Sequence, residues 1–457
     1  MNTLDIFNPA NGMLIKTVDA DDAASVAQKA VAARAAQPQW AATPVAVRKA
    51  CIEKFRARLL AKIDALAKTL TMEMGKPIKQ SKNEINGVLG RIDFFLEKLE
   101  PSTATETVFN DGGMTENISY DPLGVIANIS AWNYPYFVGL NVIVPALLTG
   151  NAVLYKPSEF ATLTGLHIAR LLHEAGIPKD VFVPLIGGSA VGAALLDQKV
   201  DGVFFTGSYA TGARIAATVG NRMIRLQLEL GGKDPTYVRD DADIKVAAES
   251  LADGAMYNTG QSCCSVERIY VHESIYDKFV EAFLETVRGF KIGDPHDEGT
   301  YVGAITRAPQ LEVLEAQVAD ALAKGAKLLT GGHRIKQAGN WFEPTVFIDC
   351  NHEMDLMREE SFGPIIGIQK VANDDDAVRL MNDTRYGLTA GIFTRDGAMA
   401  RALLAKVNAG SVYWNCCDRV SPRLPWSGHG DSGVGVTLST YGIQAFTRPR
   451  AWHLRAP

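Results

Sequence analysis

Three observations predict an α/β protein with two doubly wound parallel-sheet domains and a β-hairpin arm. Between Gly124 and Glu229, short apolar runs alternate with helical ones. That rhythm belongs to βαβ units, a parallel sheet with helices on both faces. From Ile244 onward a second α/β stretch of similar size follows. Ahead of both, Thr103–Tyr120 alternates around Asn110-Asp111-Gly112-Gly113, which reads as a hairpin.

The elements follow in order. From Asp19 to Glu100 apolar residues recur every three or four positions, as in Cys51-Phe55-Leu59 and Leu66-Leu70, so this stretch is helical. The polar hairpin after it is an exposed arm or an oligomer contact. Strands are predicted at Val125–Ile129, Ala152–Tyr155, Val181–Pro184, Gly202–Phe205 and Arg225–Glu229. Helices between them fall at Thr162–Ala175, Ala190–Leu196 and Thr211–Val219. The second stretch has helices at Ile244–Tyr257, Ile275–Phe290, Gln310–Lys324, Asp376–Met381 and Met399–Val407. Its strands are Arg268–His272, Thr345–Ile348 and Thr389–Phe393. The two halves meet near residue 230, and ligand sites favour such junctions.

Composition removes several classes of function. The 457 residues allow two or three domains. With 47% hydrophobic and 21% charged residues the chain is an ordinary soluble one. A net charge of −5 offers no basic surface for nucleic acid. Met1-Asn2-Thr3-Leu4-Asp5 has neither region of a signal peptide. The longest apolar stretch, Val138 to Thr149, holds Asn141 and Pro145 and is too short for a bilayer, which takes about 20 residues. Six cysteines are far too few for a disulfide scaffold, so a cytoplasmic protein is expected. No C-x-x-C and no suitably spaced His accompany them, so no metal site is expected.

Several runs carry chemistry. Tyr257-Asn258-Thr259-Gly260-Gln261-Ser262-Cys263-Cys264 puts a thiol behind a Gly-Gln turn. Leu228-Glu229-Leu230-Gly231-Gly232-Lys233 ends an apolar strand on a carboxylate. Together they read as a nucleophile and its base, for covalent chemistry on a carbonyl. A free thiol is mostly protonated at neutral pH, so it needs help; no histidine lies near a motif, which leaves Glu229. Asn133, in Ala131-Trp132-Asn133-Tyr134-Pro135 after a strand, offers its amide to an oxyanion; an Asx-turn before Pro135 is the alternative. In Tyr155-Lys156-Pro157-Ser158-Glu159, Lys156 meets a phosphate or ribose and Glu159 a ribose diol, unless Ser158 or Thr162 merely caps a helix. Phe205-Thr206-Gly207-Ser208 opens a helix whose N-terminus suits a pyrophosphate. Gly187-Gly188-Ser189-Ala190-Val191-Gly192 is a weaker loop of the same kind, because it lacks the full G-x-G-x-x-G.

These motifs, with Glu359-Glu360-Ser361-Phe362-Gly363-Pro364 and the start Phe7-Asn8-Pro9-Ala10-Asn11-Gly12, resemble the aldehyde dehydrogenase superfamily in family order over nearly the whole chain. The resemblance implies that Cys263 attacks an aldehyde, that Asn133 and the Cys263 amide hold the oxyanion, and that Glu229 activates water to hydrolyse a thioester. It implies NAD(P) binding by Trp132, Lys156, Ser158, Glu159, Thr206, Gly207, Ser208, Leu230, Gly231, Glu360 and Phe362. Glu159 favours NAD, and NADP use stays open. The family pattern assigns residues 1–102 and 121–229 to the NAD(P)-binding domain, 230–430 to the catalytic domain, and 103–120 with 440–457 to an oligomerisation arm that makes a homodimer or homotetramer. CoA-acylating relatives generally lack a counterpart of Glu229, and non-catalytic homologues tend to lose the nucleophile, so its presence with Cys263 argues against both.

By position in the motifs, the small-molecule aldehyde would meet Tyr134, Phe137, Val138, Asn141, Tyr257, Ser262, Cys264 and Trp426. Arg419, in the loop Asp418–Arg423, would join Ser262 in anchoring a carboxylate, which suits a semialdehyde such as succinate semialdehyde; a structural role for Arg419 is the alternative. The aromatic wall instead suits a medium-sized apolar or aromatic aldehyde. Cys264 reads as pocket wall, Cys416 and Cys417 as packing, and Arg268 as structural. The chain departs from the family at Pro425-Trp426-Ser427-Gly428-His429-Gly430-Asp431-Ser432-Gly433 and Gly435-Val436-Thr437, near the substrate entrance.

Overall fold

The computed structural model describes residues 2–456. A six-stranded sheet forms the first layer system, in the spatial order Gly433–Val434, Arg225–Glu229, Gly202–Thr206, Val125–Ile129, Ala152–Lys156 and Phe182–Pro184. All pairs are parallel except the first. Chain order therefore reverses between Gly202–Thr206 and Val125–Ile129. At such a switch point the crevice beyond the strands' carboxyl ends accepts ligands.

The second sheet has seven strands, in the order Lys327–Thr330, Thr345–Ile348, Ile365–Val371, Val266–His272, Asp234–Val238, Thr389–Phe393 and Ser411–Trp414. Only the edge strand Lys327–Thr330 runs antiparallel. The strands at the centre of both sheets are buried on both faces, as parallel strands covered by helices must be.

The helical N-terminal region resolves into Ala23–Ala42, Val45–Ala61, Ile63–Met74 and Ile78–Thr103, preceded by a small antiparallel pair, Asn2–Phe7 with Leu14–Ala20. The last of these helices packs on the Pro135–Leu148 helix. Periodicity did not reveal that second helix, because twelve of its fourteen residues are buried and nearly all are apolar; with no polar face it shows no amphipathic stripe. The hairpin is Glu106–Asp111 with Met114–Pro122, turning at Gly112 and Gly113, both with positive φ. Thr447–Arg455 adds a third strand along Met114–Pro122.

Four strands of the second sheet lie outside the predicted ones: Asp234–Val238, Lys327–Thr330, Ile365–Val371 and Ser411–Trp414. Asp234-Pro235 reads as a turn in sequence. In the fold, pairing with Thr389–Phe393 begins only at Thr236, past the proline, and the buried Asp234 carboxylate accepts from the Thr389 backbone N–H and hydroxyl.

Candidate active site

A cavity of about 840 Å³ lies along the carboxyl ends of the first sheet. Its walls include Trp132, Asn133, Lys156, Ser158, Glu159, Thr206, Gly207, Ser208, Glu229, Leu230 and Gly231 from the first half of the chain, and Cys263, Glu360 and Phe362 from the second. Ser189 and Gly192 also line it, so the glycine loop that was weak in sequence opens on the same groove.

The loop carrying Cys263 is held in a costly backbone shape. Asn258, Thr259 and Gly260 all have positive φ, at 55°, 58° and 68°. Such strain persists only where the surroundings enforce it. Gln261 does much of the enforcing: its amide donates to the carbonyls of Asn258 and Ala304 and accepts from the Thr306 N–H. Gly260 is required for closeness as well as conformation, because a Cβ there would lie 2.1 Å from the Gly363 carbonyl oxygen.

Asn133 is fixed at both ends. Its side-chain N–H donates to the Gln261 carbonyl at 3.1 Å. Its carbonyl accepts from Lys76 Nζ at 2.7 Å and from Asn258 Nδ2 at 3.2 Å. Lys76 is wholly buried and ion-paired with Glu84, which also accepts from the Tyr136 N–H. The amide of Asn133 keeps a second N–H, and the Cys263 backbone N–H has no acceptor among the described residues.

Glu229 is buried at the end of its strand. Its Oε1 accepts from Gln227 at 2.9 Å and lies 3.5 Å from the Thr437 hydroxyl, while Oε2 has no hydrogen-bond partner. Burial pushes its proton affinity well above the usual carboxylate range, against the donors at Gln227 and Thr437. Cys263 is partly exposed, and its neighbour Cys264 is buried. The hydrogen bond from Cys263, burial and Asp418 push the Cys264 thiol up. Cys264 Sγ donates to Asp418 Oδ1 at 2.9 Å and sits 3.5 Å from Ser262 Oγ, so it stays a neutral thiol.

On the opposite side, Glu360 Oε1 accepts from the Gly232 N–H at 3.1 Å. Burial and the nearby Glu267 push its carboxyl up to about 8. Gly231 permits this approach, since a Cβ there would be 2.5 Å from Glu360 Oε1. The loop is locked by a buried ion pair: Lys233 binds Glu267 at 2.6 Å, and Glu267 accepts from the Ser361 and Phe362 N–H groups. Trp132 and Phe362 meet edge to face, with centroids 5.5 Å apart. Lys156 Nζ donates to the Pro157 carbonyl and stands 3.4 Å from Glu159. The Ser208 side chain makes no cap bond to the Tyr209–Val219 helix. A groove lined by the carboxylates of Glu159 and Glu360 and by the loop opening the Tyr209–Val219 helix has the character of a dinucleotide site.

The model of the aldehyde dehydrogenase family matches residues 1–452. The chain belongs to that family. Its resemblances run end to end. It is 33% identical to a 3,6-anhydro-alpha-L-galactose dehydrogenase of Streptomyces coelicolor, over 99% of this chain and 93% of that protein. An NAD-dependent aldehyde dehydrogenase from Sinorhizobium meliloti superposes with a TM-score of 0.96 at 32% identity, covering 100% of this chain and 93% of the other. The structure of a 3,6-anhydro-L-galactose dehydrogenase in complex with NADP gives 0.95 at 31% identity, over 99% and 96%. This aldehyde dehydrogenase is therefore an NAD(P)-dependent aldehyde oxidoreductase of α/β fold.

The remaining sequence-predicted residues of the aldehyde dehydrogenase are distributed as follows. Tyr134 lies under Lys76, whose Nζ is 3.8 Å from its ring centroid. Val138 and Asn141 follow on the same helix, and Asn141 Oδ1 accepts from Arg91 at 3.0 Å. The Tyr257 hydroxyl accepts from Asn83. Trp426 is buried and pairs by its backbone with Thr437. Arg419 is exposed, and its backbone carbonyl accepts from the Tyr413 hydroxyl. Arg268 is wholly buried and bonds to the carbonyls of Lys233, Leu380 and Met381, a structural role. Sequence reasoning missed Lys76, Glu84, Gln80, Arg91, Glu267 and Asp418. Gln80, Asn83, Glu84, Gly87 and Arg91 do recur at helical spacing, a signal that marks a common face but not what it faces.

Proposed function

We propose that this aldehyde dehydrogenase oxidises an aldehyde to its carboxylic acid through a covalent intermediate on Cys263, released by water that Glu229 activates. The observation carrying this reading is Glu229 itself: it lines the same cavity as Cys263, is buried, and keeps one carboxylate oxygen without a partner. Cys263 gives its proton to Glu229, which passes it to solvent, and adds its sulfur to the carbonyl carbon while the π pair moves to oxygen. The resulting alkoxide is held by the free Asn133 N–H and the Cys263 backbone N–H. NAD(P)+, when bound, supplies the acceptor for the hydride that this adduct expels; Glu159 and Lys156 at one ribose and Glu360 with Phe362 at the other end would hold it. Cys263 is left carrying a thioester. Water gives a proton to Glu229 and attacks, and the Cys263 thiolate leaves. Burial makes Glu229 a strong base but keeps it protonated to higher pH, so hydrolysis rises as pH rises.

In this reading, residues 1–102 and 121–229 bind cofactor and residues 230–430 carry the nucleophile. Residues 103–120 and 440–457 join copies into a dimer or tetramer; exposed Val108, Phe109, Trp452 and Leu454 on these strands support that role. Six free thiols suit a reducing, cytoplasmic setting. For the substrate we propose a semialdehyde such as succinate semialdehyde. Tyr134, Phe137 and Tyr257, which would meet the aldehyde by their place in the motifs, favour the second reading, an apolar or aromatic aldehyde.

The test is a panel of aldehydes followed by NAD(P)H formation, with and without CoA. Wild type is expected to turn over without CoA, and Cys263→Ala to be inactive. Full turnover by Cys263→Ala, or strict dependence on CoA, contradicts the proposal.

A further inference from the structure

Among the buried cations of this molecule, Arg91 stands apart. Lys76, Lys156 and Lys233 each pair with a carboxylate. Arg48 and Arg268 are wrapped in backbone carbonyls. Arg91 is 6% exposed, forms no ion pair among the described residues, and makes one hydrogen bond, to Asn141 Oδ1. An arginine carries five N–H donors, so most of its capacity is unspent. Its other N–H donors have no acceptor among the described residues. A buried charge without a partner is expensive, and that cost is met once an anion arrives.

The guanidinium is aimed. Its carbon lies 3.8 Å from the Phe137 ring centroid. Phe137 touches the Tyr134 ring, one residue after Asn133, and packs on the same apolar cluster as Cys263 and Cys264. Gly87, one turn earlier on the arginine's helix, makes room: a Cβ there would be 2.7 Å from Phe137 Cζ. Asn141 and Phe137 thus fix the plane of the guanidinium from two sides. Burial pulls Arg91 down to about 10, so it remains charged at neutral pH. Glu84, the nearest carboxylate that acts on it, is already spent on Lys76 and the Tyr136 N–H.

We propose that Arg91, held by Asn141 and stacked on Phe137, binds the carboxylate of an ω-carboxylated aldehyde whose carbonyl is presented to Cys263. The proposal rests on the reading that the chain oxidises aldehydes at Cys263, and it moves the anion anchor from the exposed Arg419 to a buried site. A guanidinium held by Asn141 and Phe137 selects for charge, and only a tail long enough to reach it while the carbonyl sits at Cys263 satisfies both groups.

The experiment compares kcat/KM for succinate semialdehyde, its methyl ester and butanal in wild type, Arg91→Met and Arg91→Lys. Wild type is expected to prefer the free acid over the ester. Arg91→Met is expected to lose roughly 10- to 150-fold on the acid, the range a charge-assisted hydrogen bond carries, and little on butanal; Arg91→Lys recovers part of the loss. Inhibition of wild type by succinate, competitive with aldehyde and weakened by Arg91→Met but not by Arg419→Met, gives a second readout that needs no turnover of the acid. Equal use of acid and ester by wild type overturns the anchor while leaving aldehyde oxidation intact. Failure to oxidise any aldehyde overturns the catalytic reading instead. If Arg91→Met does not fold, the acid-to-ester ratio in wild type and Arg91→Lys still decides.

Discussion

At the scale of single residues, the site depends on polar groups that position other groups. Lys76 is the clearest case. It lies outside every motif, yet its ammonium holds the Asn133 carbonyl, covers Tyr134 and neutralises Glu84. Lys76→Met leaves Glu84 buried and unpaired, which costs about 3–5 kcal/mol, and removes a donor from Asn133. A large loss of thermal stability and a fall in kcat are expected. Adding Glu84→Gln is expected to restore most of the stability but not the rate, because the Asn133 carbonyl still lacks its lysine. Melting temperatures and steady-state rates of both variants check this; an unchanged rate in Lys76→Met removes the lysine from the positioning role.

At the scale of elements, the two loops that meet at the cavity exclude side chains where they touch. Gly260 presses on Gly363, and Gly231 on Glu360. Gly260→Ala meets both a φ of +68° and the carbonyl of Gly363, so it is expected to destabilise by more than about 1 kcal/mol and to displace Cys263. Thermal melting and NAD(P)H formation measure the two effects; wild-type values for both contradict this account of the loop.

The elements also show what sequence could and could not reveal. Val125–Ile129, Arg225–Glu229 and Thr389–Phe393 were readable as short apolar runs between turns, and the structure has strands at those bounds. Pro135–Leu148 was not readable as a helix, since a helix buried on all sides lacks the stripe that betrays one. The loops around Cys263, Glu229 and Glu360 were legible because glycine spacing and the charged or thiol residue sit together in the chain. Arg91 and Glu267 were not, because each acts on residues roughly 50 to 95 positions away, and only packing determines which way the Ile78–Thr103 helix turns its polar face.

At the scale of the whole molecule, both halves of the chain line the candidate site. The first sheet supplies Asn133 and Glu229 from its carboxyl edge, and the second half supplies Cys263 and Glu360 across the same cavity. In the proposed reaction the thiol from one half and the carboxylate from the other act in sequence on one acyl group. That sequence is tested most directly by rapid mixing of Glu229→Gln with aldehyde and NAD(P)+, followed by intact-mass analysis. A burst of about one NAD(P)H per site is expected, then a stalled steady state, with the acyl group on Cys263. Steady turnover at the wild-type rate, or an acyl group on any other residue, would contradict it.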